Sequence, residues 1–267
     1  MYDYAIFFII AQAWFFFWYF VPNGFFYWLF WRHEWFDSQR IQPDRSPRPG
    51  QIKTEILRSV WCLTLYAVVA TFCYGCYRNG YSMVDWNLSG IGKIIISLIV
   101  LNILFDTWFY WVHRFLHLKP VYIRFHKQHH ESITPTPWAT YSFSSFEAIA
   151  NCPLWVLFFT FPAHPLAIII ALFMQNIYNT FGHLGYEFFP KWMLRNKYIC
   201  AVQATPTHHD AHHRYVQGNF GHYFNIWDIL MKTELKQYKP LRESVYEQLP
   251  NSPTAMPGGQ PQSTGPT

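Results

Sequence analysis

The sequence predicts an all-α integral membrane protein with about four to five transmembrane or membrane-inserted helices and a cytosolic, helical, histidine-rich cap. Three observations predict this class. Hydrophobic residues make up 51% of the 267 residues and charged residues only 13%, whereas an ordinary soluble chain carries about 25% charged residues. Aromatic residues reach 21%, and Trp and Tyr rings are typical of the membrane interface. The histidines lie mostly in polar segments that follow apolar runs.

The first apolar run covers residues 4–31, and no basic segment precedes it. It is longer than the apolar core of a signal peptide, so it predicts a retained membrane anchor. Because proline lacks a backbone N–H, we expect this helix to be kinked or broken near Pro22-Asn23-Gly24. Residues 32–55 are polar and contain several prolines, which predicts a loop.

Two further apolar runs, 56–77 and 91–112, predict the second and third spans. Each provides the roughly 20 helical residues that a bilayer core requires. Residues 138–161 and 165–182 are apolar again, and the sequence FPAHP separates them. Since proline ends a helix, these segments predict a helical hairpin that either spans the membrane or partly enters it.

The chain is expected to form one domain. No repeat of solenoid period is present. Residues 251–267 are rich in Pro, Gly, Ser and Thr, which predicts a disordered tail. The membrane-embedded domain is therefore expected to cover residues 1–250.

The basic residues predict the orientation in the membrane. By the positive-inside rule, their position after the first and third spans places the N-terminus outside and the 32–55 and 113–137 segments in the cytoplasm. A hairpin over 138–182 then returns the chain to the same side. The basic residues are scattered rather than aligned on one face, so we expect no nucleic-acid partner. The basic residues that follow the first and third spans are Arg32, Arg40, Arg45, Arg48, Lys53, Arg58, Arg114, Lys119, Arg124 and Lys127.

The histidines form four clusters. Chance placement of 13 histidines would give roughly 0.03 H-x-x-H-H patterns per chain, and this chain has two. Residues three and four apart share a helix face, so each cluster is expected to direct several rings at one point. The clusters are HRFLH (His113, His117), HKQHH (His126, His129, His130), NTFGH (His183) and HHDAHH (His208, His209, His212, His213).

These clusters predict a site for two metal ions. Imidazole is a ligand of Zn, Cu, Fe and Ni, and one tetrahedral zinc ion needs about four ligands. Eight or nine histidines exceed that number, and the clusters lack the carboxylate ligands of bundle-type di-iron proteins. The predicted ligands are His113, His117, His126, His129, His130, His183, His209, His212 and His213.

Two further residues are candidate catalytic residues. Asp106 lies two helical turns before His113, and an acidic residue inside an apolar span is functional by default. Its alternative role is to pair with Arg114 or with a backbone group. Asn179 lies four residues before His183, so it is expected to flank the same site.

The remaining histidines carry weaker signals. His33 and His164 fit ordinary positions beside the ends of spans. His208 duplicates its neighbour and is directed elsewhere on a helix, and His222 follows the last cluster. For His208 and His222, a role as a metal ligand and a structural role both stay open.

With these residues in hand, the chain resembles the fatty acid hydroxylase superfamily, in its sterol desaturase branch. The resemblance runs from about residue 102 to residue 233, and its motifs keep the order and spacing of the family. The matching stretches are DTWFYWVHRFLH, FHKQHHES, PTPWATYSFSSFEA, NTFGHLGYE and THHDAHHRYVQGNFGHYFNIWDILMKT.

The resemblance implies an integral membrane enzyme of lipid biosynthesis that holds two Fe ions, which Zn can replace on purification. Such enzymes use O2 and two external electrons to attack an unactivated C–H bond of a lipid. In eukaryotic relatives the electrons come from NAD(P)H through a reductase and cytochrome b5, and we expect a separate donor here. The expected location is the endoplasmic reticulum, with the histidine site cytosolic. The nine predicted ligands fall on the family pattern, but Asn179 stands where some relatives have a further histidine.

Two other classes compete with this enzyme. A metal transporter usually binds its ion near the membrane midplane, whereas these histidines lie past the ends of the spans. A catalytically inactive relative is the second alternative, although apart from Asn179 the ligand set is complete. The substrate stays open among sterol-like, fatty acyl, sphingolipid and terpenoid lipids, and the reaction among hydroxylation, desaturation and methyl oxidation.

Overall fold

The computed structural model describes residues 2–88 and 90–249, and it confirms the all-α membrane class. Among these residues, four helices are long and apolar enough to cross a bilayer: Tyr2–Trp31, Gln51–Arg78, Ile91–Leu116 and Pro165–Gly182. Within the described ranges the chain has isolated β-bridges but no strand. The predicted tail over 251–267, and with it the domain boundary, lies outside the described residues.

Shorter helices fill the segments between and after the spans. The α-helices are α1 (Tyr2–Phe26), α2 (Gln51–Arg78), α3 (Ile91–Leu116), α4 (Lys119–Val121), α5 (Ser145–Ala150), α6 (Leu154–Phe159), α7 (Pro165–Gly182), α8 (Lys191–Arg195), α9 (Lys197–Val202), α10 (Pro206–Tyr215), α11 (Ile226–Leu230) and α12 (Tyr238–Gln248). The π-helical or 3-10 segments are Tyr27–Trp31, Glu34–Gln39, Tyr122–His126, His129–Glu131 and Pro137–Tyr141.

The first span does not break at its proline. Pro22 has no N–H to offer the carbonyl of Trp18, one turn earlier. Asn176 Nδ2 on α7 donates a hydrogen bond to that carbonyl instead, at 2.8 Å. The helix therefore continues to Phe26 and takes the π form from Tyr27. The predicted break near Pro22 is therefore wrong, since a neighbouring helix supplies the missing donor, and the alternative of a kink stays a prediction.

The first half of the predicted hairpin is a series of short helices rather than one helix. Ser144 caps α5, and α6 begins after Pro153. The segment nevertheless crosses the bundle. The Met83 N–H donates to the Phe158 carbonyl at 2.7 Å and the Ala163 N–H donates to the Met83 carbonyl at 3.2 Å. The turn before α7 therefore lies at the same end as the α2–α3 loop, which we name the far end.

The bundle has an apolar interior and an apolar exterior. Tyr19 and Tyr66 are buried between α1 and α2, where the small Cys62 allows close packing. The Tyr19 hydroxyl donates to the carbonyl of Trp138 at 2.8 Å. Outward-facing side chains such as Ile9 are 65% exposed. An apolar exterior of this kind fits contact with lipid.

At the opposite end, which we name the histidine end, the short helices form a cap. α3 ends at Leu116, with His117 as its C-cap, and α7 ends at Gly182, with His183 as its C-cap. The loop after the first span reaches this end, where Gln42 Nε2 donates to Asp210 Oδ1 at 2.9 Å. This contact joins the loop to α10, the helix that carries the last histidine cluster.

Candidate metal centre

The nine predicted ligands meet at the histidine end in two groups. All nine side chains are buried, with exposed fractions of 8% or less. α3, the end of α7 and the cap segments supply the rings. The first histidine group contains His113, His117, His126, His130 and His212. The second histidine group contains His129, His183, His209 and His213.

Within each group the ring nitrogens converge. One nitrogen from each ring lies within 4.8 Å of one nitrogen from every other ring in its group. In the first group, His126 Nε2 and His130 Nε2 are 3.1 Å apart. In the second group, His183 Nε2 lies 3.4 Å from His129 Nε2 and 3.2 Å from His209 Nε2.

The two groups adjoin one another. The ring centroids of His130 and His213, one from each group, are 5.0 Å apart. Those of His126 and His129 are 5.5 Å apart. Sequence neighbours are thus divided between the groups, so the prediction that each cluster directs its rings at one point is wrong for HKQHH and HHDAHH. The physical reason is that adjacent helical residues point about 100° apart. The prediction holds for HRFLH, because His113 and His117 lie together in the first group.

Burial keeps the rings in the state that a metal requires. Removal from water lowers the pKa of His117 to about 2 and that of His183 to about 4. A neutral ring retains a lone pair for coordination. Burial also lowers the pKa well below its usual value for His126, His129, His130, His209, His212 and His213.

The donor atoms fit metal ions. Two nitrogens bound about 2.1 Å from one ion lie roughly 3.0 to 3.4 Å apart at octahedral or tetrahedral angles. The nitrogen pairs in the two groups are 3.1 to 3.4 Å apart. The Nε2 atoms of His117, His212 and His213 are buried without a hydrogen-bond partner. Because buried polar atoms normally have partners, these atoms are available as ligands.

Three of the rings are held at Nδ1 by backbone carbonyls, which directs Nε2 toward the site, and a carboxyl group lies beside the Nδ1 of a fourth. His113 Nδ1 is 2.9 Å from the carbonyl oxygen of Phe220. His212 Nδ1 is 2.7 Å from that of Gly218. His183 Nδ1 is 2.8 Å from the carbonyl oxygen of Asn179, and His126 Nδ1 is 2.8 Å from Glu147 Oε1.

The two candidate catalytic residues, Asp106 and Asn179, lie outside both histidine groups. The side chain of each is hydrogen-bonded to backbone groups of a distant segment. Asp106 Oδ1 accepts the N–H groups of Tyr223 and Phe224 at 2.7 and 3.2 Å. Its partners are thus backbone groups, the alternative considered from the sequence. Asn179 Nδ2 donates to the carbonyl of Thr140 at 2.7 Å, while its own carbonyl holds His183.

The other histidines lie outside both groups. His208 Nε2 is 3.7 Å from Asp228 Oδ2. The ring of His222 is buried against Phe109, with 4.7 Å between the centroids. His164 caps α7 by accepting the N–H of Leu166 at 3.2 Å.

Glu147 is the main residue that the sequence analysis missed. Its exposed fraction is 1%, and it is the carboxylate next to His126. The sequence carries the same signal for Glu147 as for Asp106, because each is an acidic residue inside an apolar stretch. Glu147 lies within the predicted hairpin segment, in SFEA.

We expect Glu147→Gln to weaken metal binding at the first histidine group. The amide keeps the shape of the side chain but replaces the carboxyl group whose Oε1 lies 2.8 Å from His126 Nδ1. Loss of such an outer partner typically costs roughly 10–100-fold in metal affinity. Competition with a chelator, with metal counted per chain, measures the change. Glu131→Gln is the matched control, because Glu131 pairs with Arg58 on the surface, and equal affinities in the two variants would contradict this role.

Fold and site together define a class: a helical membrane protein with two buried groups of histidines, at one end of its bundle, that could each hold a metal ion. The chain belongs to the fatty acid hydroxylase family, in the sterol desaturase branch of that superfamily. The fatty acid hydroxylase family model matches residues 98–233. This region contains all nine histidines of the two groups, so the resemblance predicted from the motifs is confirmed.

Curated relatives support this assignment. Lathosterol oxidase of Homo sapiens is 28% identical over 184 residues, 67% of this chain and 60% of the relative. Delta(7)-sterol 5(6)-desaturase erg31 of Schizosaccharomyces pombe is 31% identical over 184 residues, which cover 68% of this chain and 58% of the relative. Methylsterol monooxygenase erg25A of Aspergillus fumigatus is 30% identical over 145 residues, which cover 51% of this chain and 46% of the relative. The match with the first of these relatives thus spans about 60% of its length. No solved structure matches the chain.

Proposed function

We propose that this chain is an O2-dependent oxidoreductase that uses two iron ions to hydroxylate or desaturate an unactivated C–H bond of a sterol-class lipid. The observation that carries the proposal is the meeting of nine buried histidines in two adjoining groups at one end of a membrane bundle. The relatives are a lathosterol oxidase, a Delta(7)-sterol 5(6)-desaturase and a methylsterol monooxygenase, and these names favour sterols over fatty acyl or terpenoid substrates.

Each histidine group would hold one ion. When bound, the iron pair supplies the activation of O2 and the oxidation of the C–H bond. The protein supplies position and dryness. Glu147 and the carbonyls of Gly218, Phe220 and Asn179 fix ring orientation, and the cap keeps the ring atoms away from water. The absence of carboxylate from both groups leaves imidazole as the donor throughout.

The site is proposed to face the cytosol from the endoplasmic reticulum membrane. Of the 20 lysine and arginine residues, only Arg78 and Lys93 lie at the far end of the bundle. Positive charge concentrates on the cytosolic side of membrane proteins. Electrons from NAD(P)H would then reach this face through a separate donor, cytochrome b5 or a reductase.

The two alternative functions make different demands on the site. A transporter needs access from both sides near the midplane, but both histidine groups lie at one end and are enclosed by the cap. An inactive relative has no need for a full ligand set, yet all nine rings converge. Neither alternative is favoured by a specific observation.

Sterol-dependent O2 consumption tests the proposal. The purified chain is loaded with iron, supplied with NADH, cytochrome b5 and its reductase, and given lathosterol or a methylsterol. We expect one sterol to yield a product that lacks two hydrogens or carries an extra oxygen, as detected by mass spectrometry. Chelated protein and anaerobic samples are the controls. Metal uptake into vesicles without sterol oxidation would support the transporter instead.

A further inference from the structure

A cavity lies between the spans at the far end of the bundle, away from the histidines. Its volume is about 390 Å³, which is within the range of small-molecule binding sites. Residues of α1, α2, α6, α7 and the loop between α2 and α3 line it, and all of them are apolar or aromatic. We name it the far-end cavity. It is large enough for a ligand, and the proposed reaction does not use it.

The far-end cavity forms because α1 and α7 separate. Closer to the histidine end these helices touch, and the ring centroids of Trp18 and Phe173 are 4.8 Å apart. Toward the far end α1 stays against α2, where Phe7 stacks on Tyr74 at 4.3 Å. The buried Ala11 of α1 is part of the wall, and its single methyl group leaves space that a larger side chain would fill. The fold therefore contains a preformed gap between α1 and α7.

This gap opens to the bilayer. Ile10 on α1 and Ile169 on α7 both line the cavity, and their side chains are 61% and 45% exposed. Both helices are long and apolar enough to span the membrane, so the medium around these two residues is hydrocarbon. Ile168, which is buried, forms part of the inner wall. A membrane lipid can therefore enter the cavity sideways, between α1 and α7.

The hydroxyl groups of the wall lie at its far end, close to the end of α2. Trp86 Nε1 donates a hydrogen bond to the Tyr77 hydroxyl at 2.8 Å. The Tyr74 hydroxyl accepts one from Arg78 Nη1 at 2.9 Å, and that arginine also lies 3.8 Å from Asp3 Oδ2. The polar groups that the cavity itself offers are therefore neutral, and the arginine beside them already has partners.

The depth of the cavity matches one leaflet of the membrane. On α1 its wall runs from Phe7 to Phe15, eight residues further along the helix, or about 12 Å at 1.5 Å per residue. Half of the hydrocarbon core of a bilayer is about 15 Å. A lipid that occupies the cavity with its polar group beside Tyr77 therefore has the orientation of a lipid in the leaflet at the far end.

A sterol fits this space better than a phospholipid does. It has a rigid ring system and one neutral hydroxyl group, which matches a preformed apolar cavity with neutral hydroxyl groups at its end. A flexible acyl chain would lose more conformational entropy on being held there. A phospholipid would also bring a charged headgroup to a site whose own polar groups carry no charge.

We propose that the far-end cavity binds one sterol molecule of the membrane, with the sterol hydroxyl hydrogen-bonded to Tyr77 and the sterol rings between α1 and α7. The Tyr77 oxygen accepts the Trp86 N–H, which leaves the Tyr77 O–H to donate to the sterol. Leu172, which lines the cavity on α7, lies eleven residues before His183, about 16 Å along the helix. This site is therefore separate from the metal centre, and it does not depend on the proposed function.

Photolabelling in nanodiscs of phosphatidylcholine tests the assignment. The full chain is irradiated with a photoreactive analogue of cholesterol that keeps its hydroxyl group, and the labelled residues are found by mass spectrometry. We expect label on α1 and α7 beside the cavity, displaced by cholesterol. Cholestane, which lacks the hydroxyl, should displace it about fivefold less well, the magnitude of one neutral hydrogen bond. Tyr77→Phe should bring the two competitors to within about twofold.

Ile169→Trp places a larger ring at the opening of the cavity and should lower this labelling by about tenfold, because overpacking opposes binding. Ile103→Trp is the matched control and should label as the wild type does, because Ile103 is 51% exposed on α3 and lies outside the cavity. Equal labelling of all lipid-facing helices would overturn the assignment. So would labelling of the cavity by a photoreactive phosphatidylcholine that cholesterol does not displace, or a cross-link there to a second copy of the chain. Label confined to the histidine end would overturn it and leave the proposed function standing.

Discussion

His129→Ala is expected to reduce turnover by more than about 100-fold, since even loss of an outer partner of a metal ligand costs roughly 10–100-fold. His129 belongs to the second histidine group, and its Nε2 is 3.4 Å from His183 Nε2. Alanine leaves that group with three imidazoles, one fewer than a closed tetrahedral site requires. The ring also adjoins His126 and His130 of the first group.

The measurement pairs turnover with metal counting and membrane extraction. His129→Ala should bind about one ion fewer per chain than the wild type, because one site loses a ligand. Insertion should be unchanged, because His129 lies outside the four spans. His33→Ala is the control: His33 stacks on Trp35 away from both groups. A His129→Ala chain that keeps both ions and normal turnover would remove the basis of the proposed dimetal site.

The composition of the site could be predicted because its residue type is rare and its spacing is regular. Which ring joins which group could not be predicted from the clusters alone. On α10, His209 and His213 lie about 40° apart around the axis, and His212 lies about 60° to the other side of His209. Pairs four residues apart therefore stay together, while the residue three apart joins the other group.

What the sequence could not indicate are the contacts made by the backbone and by distant helices. The carbonyls of Gly218 and Phe220 hold two rings, but every residue has a carbonyl. The hydrogen bond from Asn176 to Trp18 joins residues far apart in the chain, so the continuation of α1 past Pro22 carried no local signal. Tertiary contacts of this kind override local rules.

Asp106→Ala is expected to lower the free energy of unfolding by about 2–6 kcal/mol, since two buried N–H groups lose their acceptor at about 1–3 kcal/mol each. Those groups belong to Tyr223 and Phe224. They anchor the loop whose Phe220 carbonyl lies 2.9 Å from His113 Nδ1. We expect metal binding at the first histidine group to weaken as well, because the loop that loses its anchor contacts His113. Thermal unfolding in detergent and metal titration measure the two effects.

Asp106→Asn distinguishes a positioning role from proton or charge chemistry. The single oxygen Oδ1 accepts both N–H groups, and an asparagine carbonyl can occupy the same place. A positioning residue should therefore tolerate asparagine, with metal content kept and turnover within about tenfold of the wild type, because a neutral acceptor is weaker by about 1 kcal/mol. Asp85→Asn, in the loop at the far end, is the matched control. If Asp106→Asn folds and binds metal yet is as inactive as Asp106→Ala, the carboxylate acts in the reaction itself, because the hydrogen-bond geometry would then be intact and only the charge and the exchangeable proton would differ.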